Sequence, residues 1–562
     1  MNVQQYYRAI NNPATPSGPN PDSFIMTFAL GASDSITLPL ASSGTYNFTV
    51  NWGDGSDIDT ITAWNQAERV HSYAGKPAGD YVVTITGTCT VWSFQSVSTS
   101  RLKLKGVDQW GNTGLVALSF LSCSNIQYLA SDGIKMGSNA SLLQCFQSCN
   151  LTAAKIPSNL FSGCSGVTNC GGLFFSNPSL GSIPAGLLDP MISVTNFGGA
   201  FDNCGLTSLP TDLFRYNTEV TNFGGIGGTF GTLARNNFSA IPADLFKYNT
   251  KVTSFQTTFQ NCTSLSSIPV DTFRYNTLVT SFQQTFQGCS ALTTVPVDTF
   301  RYNTLVTNFA GTFALCSNFN SIPTDIFRYN PSVNNFSTTF QYCSSLSTLP
   351  IDIFRYNTAV TTFQQCFQGV GVSSFNVDLF RYNTSVNNFA FVFANNSSLT
   401  SIPSGIFQYN TSLTQAAGIF AFCTNLTSLP SGLFNNNTGI TNFGSAFGGT
   451  GLCGGCTNLT TIPTNLFNNT SNVTSYSQAF LNCPNLNISV SSLVSGIDMT
   501  KVTTTNQMFS GCTSLTGNGQ DLIDKPKAAG YTVGTGSTTG SYRTFFNCTS
   551  LSDFATISAN YK

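Results

Sequence analysis

PVDTFRYNTLVTSFQQTFQGCSALTTV, residues 269–295, decides the fold, because variants of the same 27 residues recur along most of the chain. The opening proline phrase restarts at 157, 184, 210, 242, 269, 296, 323, 350, 376, 403, 430 and 463, with Asn376 standing where the other copies have proline. Most intervals are 26 or 27 residues; the two longer ones hold the glycine-rich insertions Gly225–Thr232 and Gly448–Gly455. A period this strict means one small unit stacked on copies of itself, since a single coil cannot bury its own Phe, Leu and Ile. Stacking merges these side chains into one interior. The expected fold is an α/β solenoid of 27-residue coils, built of short strands and short helices, with broad faces rather than a pocket.

Within one unit, Val252, Phe255, Phe259 and Cys262 are spaced three, four and three apart, which places them on one face of a helix, with a buried strand as the alternative over so few residues. Leu265–Pro269 reads as a short extended piece ended by proline. Pro269–Asn276 reads as a short helix or 3-10 turn, with Pro269 at its start, Asp271 at the positive end, and Asn276 as a left-handed residue closing it.

Outward from the repeats the pattern loosens. Residues 1–22 are a Pro/Asn-rich lead-in, a possible attachment segment, and 23–95 alternate as strands do (SITLPL, YNFTVNW, YVVTITGT). Residues 96–150 and 485–562 carry degenerate repeats, as a solenoid needs to cap its two ends, and 151–484 are the regular array. The N-terminus shows no basic stretch followed by an apolar one, and no run reaches the ~18 apolar residues of a membrane helix, so neither export by a classical signal nor membrane insertion is expected.

Only 8% of the 562 residues are charged and the net charge is −1, so there is no basic face for nucleic acid. With 48 Phe the composition is not that of a disordered chain. Twelve of the 18 cysteines sit in Phe-x-x-Cys: Cys123, Cys149, Cys164, Cys204, Cys262, Cys289, Cys316, Cys343, Cys423, Cys483, Cys512 and Cys548. One cysteine per coil at a fixed place predicts a column of buried, reduced thiols, with disulfides between neighbouring coils as the rival reading.

Val502-Thr-Thr-Thr-Asn-Gln-Met-Phe-Ser-Gly-Cys-Thr-Ser-Leu515 resembles the BspA-type leucine-rich repeat, the Mycoplasma-lipoprotein-like surface repeat with the pattern V-T-x-M-x-x-M-F-x-x-C-x-x-L. In most copies here Phe replaces the first Met, as in Val279-Thr-Ser-Phe282, and the resemblance covers roughly 115–555. The P-x-D-x-F-R-Y-N phrase departs from that family. Val50-Asn-Trp-Gly-Asp-Gly-Ser56, His71-Ser-Tyr73 and Gly79–Ile85 together resemble a PKD-type β-sandwich. These resemblances imply adhesion or recognition outside cells.

Candidate sites are few. His71 is the single histidine, and the PKD resemblance places it in the sandwich rather than in a catalytic set. No catalytic residue and no cofactor is expected. Cys453-Gly-Gly-Cys456 has metal or redox spacing, but Cys456 is also the repeat cysteine of its coil. Asp54, Asp57 and Asp59 form a weak calcium candidate, equally explained as a tight turn. Hydroxyl pairs such as Ser266-Ser267, Thr293-Thr294 and Thr460-Thr461 suggest ladders between stacked strands, or a polar surface for sugars.

The best binding candidates are Arg274, Tyr275, Arg301, Tyr302, Arg328, Tyr329, Arg355 and Tyr356, one Arg-Tyr pair per coil, each Arg three residues after an Asp. Stacking is expected to bring the opposite charges of adjacent coils together, so coil-to-coil packing competes with partner or glycan binding as their purpose. The function read from all this is non-enzymatic binding and display. A bacteriophage virion component (tail or head fibre, or capsid decoration) joins recognition modules to the missing export signal. Its N-terminal region would meet other virion proteins and its solenoid a host surface protein or glycan, with homo-oligomers possible. The alternatives are a cellular BspA-like adhesin at the cell surface, and an intracellular protein-binding scaffold.

Overall fold

A computed structural model describes residues 20–95, 97–225, 231–444, 451–528, 531 and 543–562; most of the lead-in and parts of both insertions lie outside the described residues. The chain divides into two units, 1–194 and 195–562.

In the first unit, period-two alternation gives strands that bury one face. Strands β1 (Phe24–Leu30), β2 (Ser35–Thr37), β3 (Tyr46–Asn51), β4 (Asp59–Ile61), β5 (Val70–Ser72), β6 (Gly79–Cys89), β7 (Val91–Ser93) and β8 (Leu104–Gln109) appear in order. Tyr46, Phe48 and Val50 point inward from β3 while Asn47, Thr49 and Asn51 face solvent. An antiparallel sheet runs β4-β3-β6-β1-β8, and β2 pairs with β5. The expected domain limit at residue 95 is therefore corrected: β8 lies beyond it and completes the sheet against β1, because Leu104 and Val107 supply the next apolar row. The coils begin before it, since β7 already pairs in parallel with β9 (Ala117–Ser119), followed by β10 (Ala140–Ser141) and β11 (Val167–Asn169).

The second unit is a stack of coils joined in parallel. Single bridges link Asn196 to Asn222, Ser254 to Ser281, Ser281 to Asn308, and so on to Ser475 and Thr504. The short helices expected in each coil are absent there. Among the described residues of this unit, α-helix is confined to Val490–Val494 and Gln520–Ile523. The Phe-x-x-x-Phe segment is instead a run of tight turns, because it carries a left-handed residue every fourth position: Gln284 and Gly288, Gly311 and Leu315, Thr338 and Tyr342. A right-handed helix cannot contain such residues. The turns free alternate amides. Thr285, Gln287 and Cys289 donate back to Phe282, Gln284 and Phe286 (3.1–3.2 Å), while Phe282, Gln284, Phe286 and Gly288 donate to Asn308, Ala310, Thr312 and Ala314 of the next coil (2.7–3.0 Å). The Gln283 amide donates to the Ser281 hydroxyl (3.2 Å), so every amide in the segment is used, as a buried backbone requires.

Packing follows the same ladder. Phe255, Phe282, Phe309 and Phe336 stack nearly parallel at 5.8–5.9 Å, and Phe259, Phe286 and Phe313 form a second column. Phe273 and its equivalents sit tilted against the first column, as in Phe255–Phe273 at 4.8 Å and 55°. Tilted and offset rings are the favoured aromatic geometries.

Asn276 does not close a helix in left-handed geometry. It is fully buried, and its side-chain amide donates to the carbonyls of Phe246 (3.1 Å) and Asn249 (2.8 Å) in the preceding coil. Asn303, Asn330, Asn357, Asn383 and Asn410 repeat this, so one asparagine per coil satisfies two carbonyls at a buried corner.

All 18 cysteines are buried and none forms a disulfide, and the columnar ones work as donors. The thiols of Cys262, Cys289, Cys316 and Cys343 donate to Leu233, Phe259, Phe286 and Phe313 at 3.1–3.2 Å. Three coils place Asn177, Asn236 and Asn396 at this position, each donating to the same kind of carbonyl (Phe146, Phe201, Phe367). Each follows a coil one residue short: Cys149-Asn-Leu151, Cys204-Gly-Leu206 and Val370-Gly-Val372 replace the usual Cys-x-x-Leu spacing. In full coils the leucine amide turns back to the cysteine carbonyl, as Leu265 does to Cys262. In the first two short coils that turn is lost, and the asparagine oxygen takes the freed amides: Cys149 and Leu151 on Asn177, Cys204 and Leu206 on Asn236 (2.9–3.2 Å). In these two coils a deletion is thus compensated by a side chain in the next, whereas in the third the Gly371 amide donates to Leu346 of the preceding coil (2.9 Å).

Phe545 donates to Tyr561 and Arg543 to Asn560, so residues 560 and 561 take up amides of the coil that holds Phe545.

Candidate functional site

The eight residues singled out in the sequence fall on one outer face of the second unit. Each Arg lies in the turn after the proline, three residues past its Asp. The expected pairing of opposite charges between coils is corrected: the ion pairs form within a coil, Asp271–Arg274 at 3.3 Å, Asp298–Arg301 and Asp325–Arg328 at 3.6 Å, and Asp352–Arg355 at 4.0 Å. The turn brings positions i and i+3 together, whereas the neighbouring coil presents its tyrosine. Arg274 lies over Tyr275 (5.7 Å) and over Tyr302 of the next coil (5.2 Å); Arg301 does so with Tyr302 and Tyr329, Arg328 with Tyr329 and Tyr356, and Arg355 with Tyr356 and Tyr382. The ladder runs from Arg215 against Tyr248 to Arg381 against Tyr409.

This geometry sets the chemistry. Guanidinium groups occupy the aromatic faces along the stack, so tyrosine edges and hydroxyls, Arg N–H groups and Asp oxygens meet solvent. The ladder is flanked by exposed aliphatic side chains: Val270, Val297 and Ile351 after the proline, Leu278 and Leu305 after the asparagine. Arg and Tyr beside aliphatic side chains, with little Lys or Glu, is the composition of protein interfaces.

The other candidates are spent elsewhere. In the N-terminal sheet region Asp54 accepts from His71 (3.2 Å) and lies 3.7 Å from Lys76, while Asp59 accepts from the Trp52 indole (2.8 Å) and Asp57 is exposed. Burial of Asp54 would raise its pKa, but hydrogen bonds from Ser56 and His71 outweigh that and bring it down to about 2. His71 stacks on Trp52 at 4.6 Å, a packing role. Cys456 donates to Phe420 as its column requires, and Cys453 accepts, through its carbonyl, the thiol of Cys483. Among the described residues no three His, Cys, Asp or Glu side chains converge to hold a metal, so the calcium candidate is not assembled. Burial pushes the Cys262 and Cys316 thiols up to about 12, leaving them unreactive. The hydroxyl ladders are coil-to-coil bonds: Ser266 donates to Ser239, Thr294 to Ser321 and Thr460 to Thr427.

The sequence reading missed two features. Asp202 is fully buried and accepts from Nε and Nη2 of Arg235 (2.9 and 3.1 Å); burial raises its pKa to about 6 despite the guanidinium. Beyond Tyr409 the outer face also changes: the Arg and Tyr positions become Asn435 and Asn436, then Asn468 and Asn469. That switch was visible in the phrase LFNNT against TFRYN.

Among known proteins, the family described as "Mycoplasma protein of unknown function, DUF285" matches residues 253–370, 334–450 and 457–527, so repeats of this Mycoplasma type make up the C-terminal region. Among solved structures, a chain of the Toll–Spätzle complex from Drosophila is similar at 16% identity, over 74% of this chain and 52% of that one, with a TM-score of 0.34. A leucine-rich repeat protein from Bacteroides ovatus ATCC 8483 is similar at 14% identity, over 86% of this chain and 98% of that one, with a TM-score of 0.33. The protein thus spans about half the length of the Toll-complex chain. No curated protein matches the sequence.

Proposed function

We propose that this chain is a non-enzymatic recognition and display protein whose solenoid meets a host surface protein or glycan, and that its carrier is a bacteriophage particle, as a tail or head fibre or a capsid decoration. The N-terminal sheet region, read as PKD-like, attaches it to other virion proteins. The observation that carries the recognition reading is the continuous outer ladder, in which Arg274, Arg301, Arg328 and Arg355 and their tyrosines present the same edge in coil after coil. Repeated coils build extended binding surfaces, and many weak identical contacts add through avidity when the carrier is multivalent.

The carrier reading is supported by the thiols. Eighteen buried cysteines without a disulfide suit folding in a reducing compartment, before a surface role begins. Two measurements test the proposal. Mass spectrometry of purified particles should find the protein at stoichiometric abundance; its absence overturns the virion reading, and labelling at the surface of intact cells would favour the adhesin. Adsorption of the purified chain to host cells should fall at least tenfold in the combined variant R301A/Y302A/R328A/Y329A, with unchanged adsorption overturning the ladder's role.

A further inference from the structure

The outer face carries a second feature of different chemistry. In the coil opening at Pro463, the positions that hold Asp, Arg and Tyr elsewhere hold Asn465, Asn468 and Asn469. The next coil loses the proline phrase and has the helical turn Val490–Val494 followed by Ser495-Gly-Ile-Asp498. Between them opens a cleft of about 530 Å³, lined by Thr464, Asn465, Asn468, Asn469, Ser495 and Asp498, with Gly496 and Ile497 in its floor. That volume lies within the ~300–1,000 Å³ of small-molecule sites, and the cleft is wide open to solvent, a hollow in an otherwise broad face.

The cleft is held in shape by its neighbours. A Cβ on Gly496 would run into Asn468 Oδ1, so the glycine lets the two coils approach with the Asn468 side chain lying across it. Ile497 is buried below, and its carbonyl accepts Lys525 Nζ at 2.8 Å. Asn469 donates to the Asn435 carbonyl (3.0 Å), and Asn465 exchanges hydrogen bonds with Ser431. The Asp498 carboxylate is fixed by the Thr500 amide (2.9 Å) and hydroxyl (2.7 Å), and these bonds keep its pKa below the ordinary value. Lys501, the nearest cation in sequence, is turned to Asn472.

The lining selects a ligand class. Three carboxamides, two hydroxyls and one carboxylate offer donors and acceptors in close alternation. The one charge among the lining residues is the Asp498 carboxylate, which disfavours phosphate, sulfate or sialic acid, while Lys501 and Lys525 act on it from outside the lining with their ammonium groups turned to Asn472 and to the Ile497 carbonyl. The cleft's sole apolar side chain, Ile497, is buried, so nothing receives an apolar ring. Vicinal hydroxyls, each able to donate and accept, match such a lining. We propose that this cleft binds one or two residues of a neutral glycan, a site separate from the Arg-Tyr ladder. The proposal rests on the reading of the solenoid as a recognition surface and specifies one ligand for it.

The test uses the full chain. A glycan array carrying neutral and sialylated structures is read first. Saturation-transfer NMR then follows, with neutral hexoses and their β-linked disaccharides, on wild type, N468A, D498A and the ladder variant R301A/Y302A. The expected result is binding confined to neutral glycans, weakened at least tenfold in N468A and D498A, and unchanged in the ladder variant. Thermal melting matched to wild type shows that the variants are folded, and G496A, which displaces the Asn468 side chain, should weaken binding in the same direction. Binding of no neutral glycan, or equal binding by N468A and D498A, overturns the cleft. Host-cell adsorption of the same proteins separates the two readings: wild type that still adsorbs while the cleft binds nothing leaves recognition standing without this site, and wild type that fails to adsorb removes the broader reading by itself.

Discussion

The coils around 296–343 and those around 463–512 share an interior ring column and the thiol column. Phe313 stacks between Phe286 and Phe340 at 5.8–5.9 Å, and Phe480 stacks on Phe509 at 5.5 Å; Cys316 and Cys483 each donate to the preceding coil at 3.1 Å. Outside they part company. Where the first region sets Arg301 between two tyrosines, the second sets Asn468 at the edge of a cleft. The difference teaches where each constraint acts. An interior position must match the coils above and below it, so it repeats. An outer position faces solvent as well as the neighbouring coil, so it is freer to carry a different chemistry in each stretch.

The heaviest blow to that comparison would come from unequal interiors. Phe313→Ala and Phe480→Ala should each cost about 3–5 kcal/mol in urea unfolding, the range for a truncated buried aromatic; a much cheaper loss at Phe480 would mean that the second region is not packed as the first is. Next comes the compensation rule. Asn236→Cys keeps a donor for Phe201 but strands the Cys204 and Leu206 amides, and should cost about 2–3 kcal/mol. Cys316→Asn, in a full-length coil with no amide to accept, should also destabilise rather than substitute silently.

A smaller effect should follow where charge enters the interior. The Asp202 pKa is about 6 in the folded chain, above its ordinary value, so between about pH 4 and 6 the folded state holds a proton that the unfolded state has released. Its contribution is present below pH 4 and lost as pH rises through 6, and Asp202→Asn should flatten this part of a Tm-against-pH curve. The smallest change is expected outside. Arg301→Ala removes an ion pair of two partly exposed groups at 3.6 Å and two ring contacts, and should cost less than about 1 kcal/mol in urea unfolding. A larger loss would show that the outer face also stabilises the stack, and would weaken the contrast on which the recognition reading depends.

Part of this was legible beforehand. The recurrence of Phe259, Cys262 and Leu265 at fixed places pointed to a shared interior and a thiol column, because burial leaves a periodic trace in residue type. The helical reading of Val252–Cys262 failed on the same residues. Thr257 and Asn261 adopt left-handed geometry there, as Leu315, Tyr342 and Phe391 do in later coils, and residue types that usually avoid it give no warning. Asn276 resembled a helix end in sequence and proved to be a buried donor. The recurrence of Arg274 and Tyr275 was plain in the sequence, but their partners were not, since the neighbour across the coil boundary is set by the turn and not by the spacing of charges.

By itself, then, the sequence determined that the chain carries a stack, the period of its coils, and which side chains fill them, because a 27-residue unit with several large apolar groups can hide them only against its own copies. Tertiary structure decided the rest: the turns that replace helices, the asparagines that repair short coils, and the cleft at Asn468. Each depends on a backbone group left without a partner, or a gap left open, by the adjacent coil, and that need exists only once two coils lie side by side.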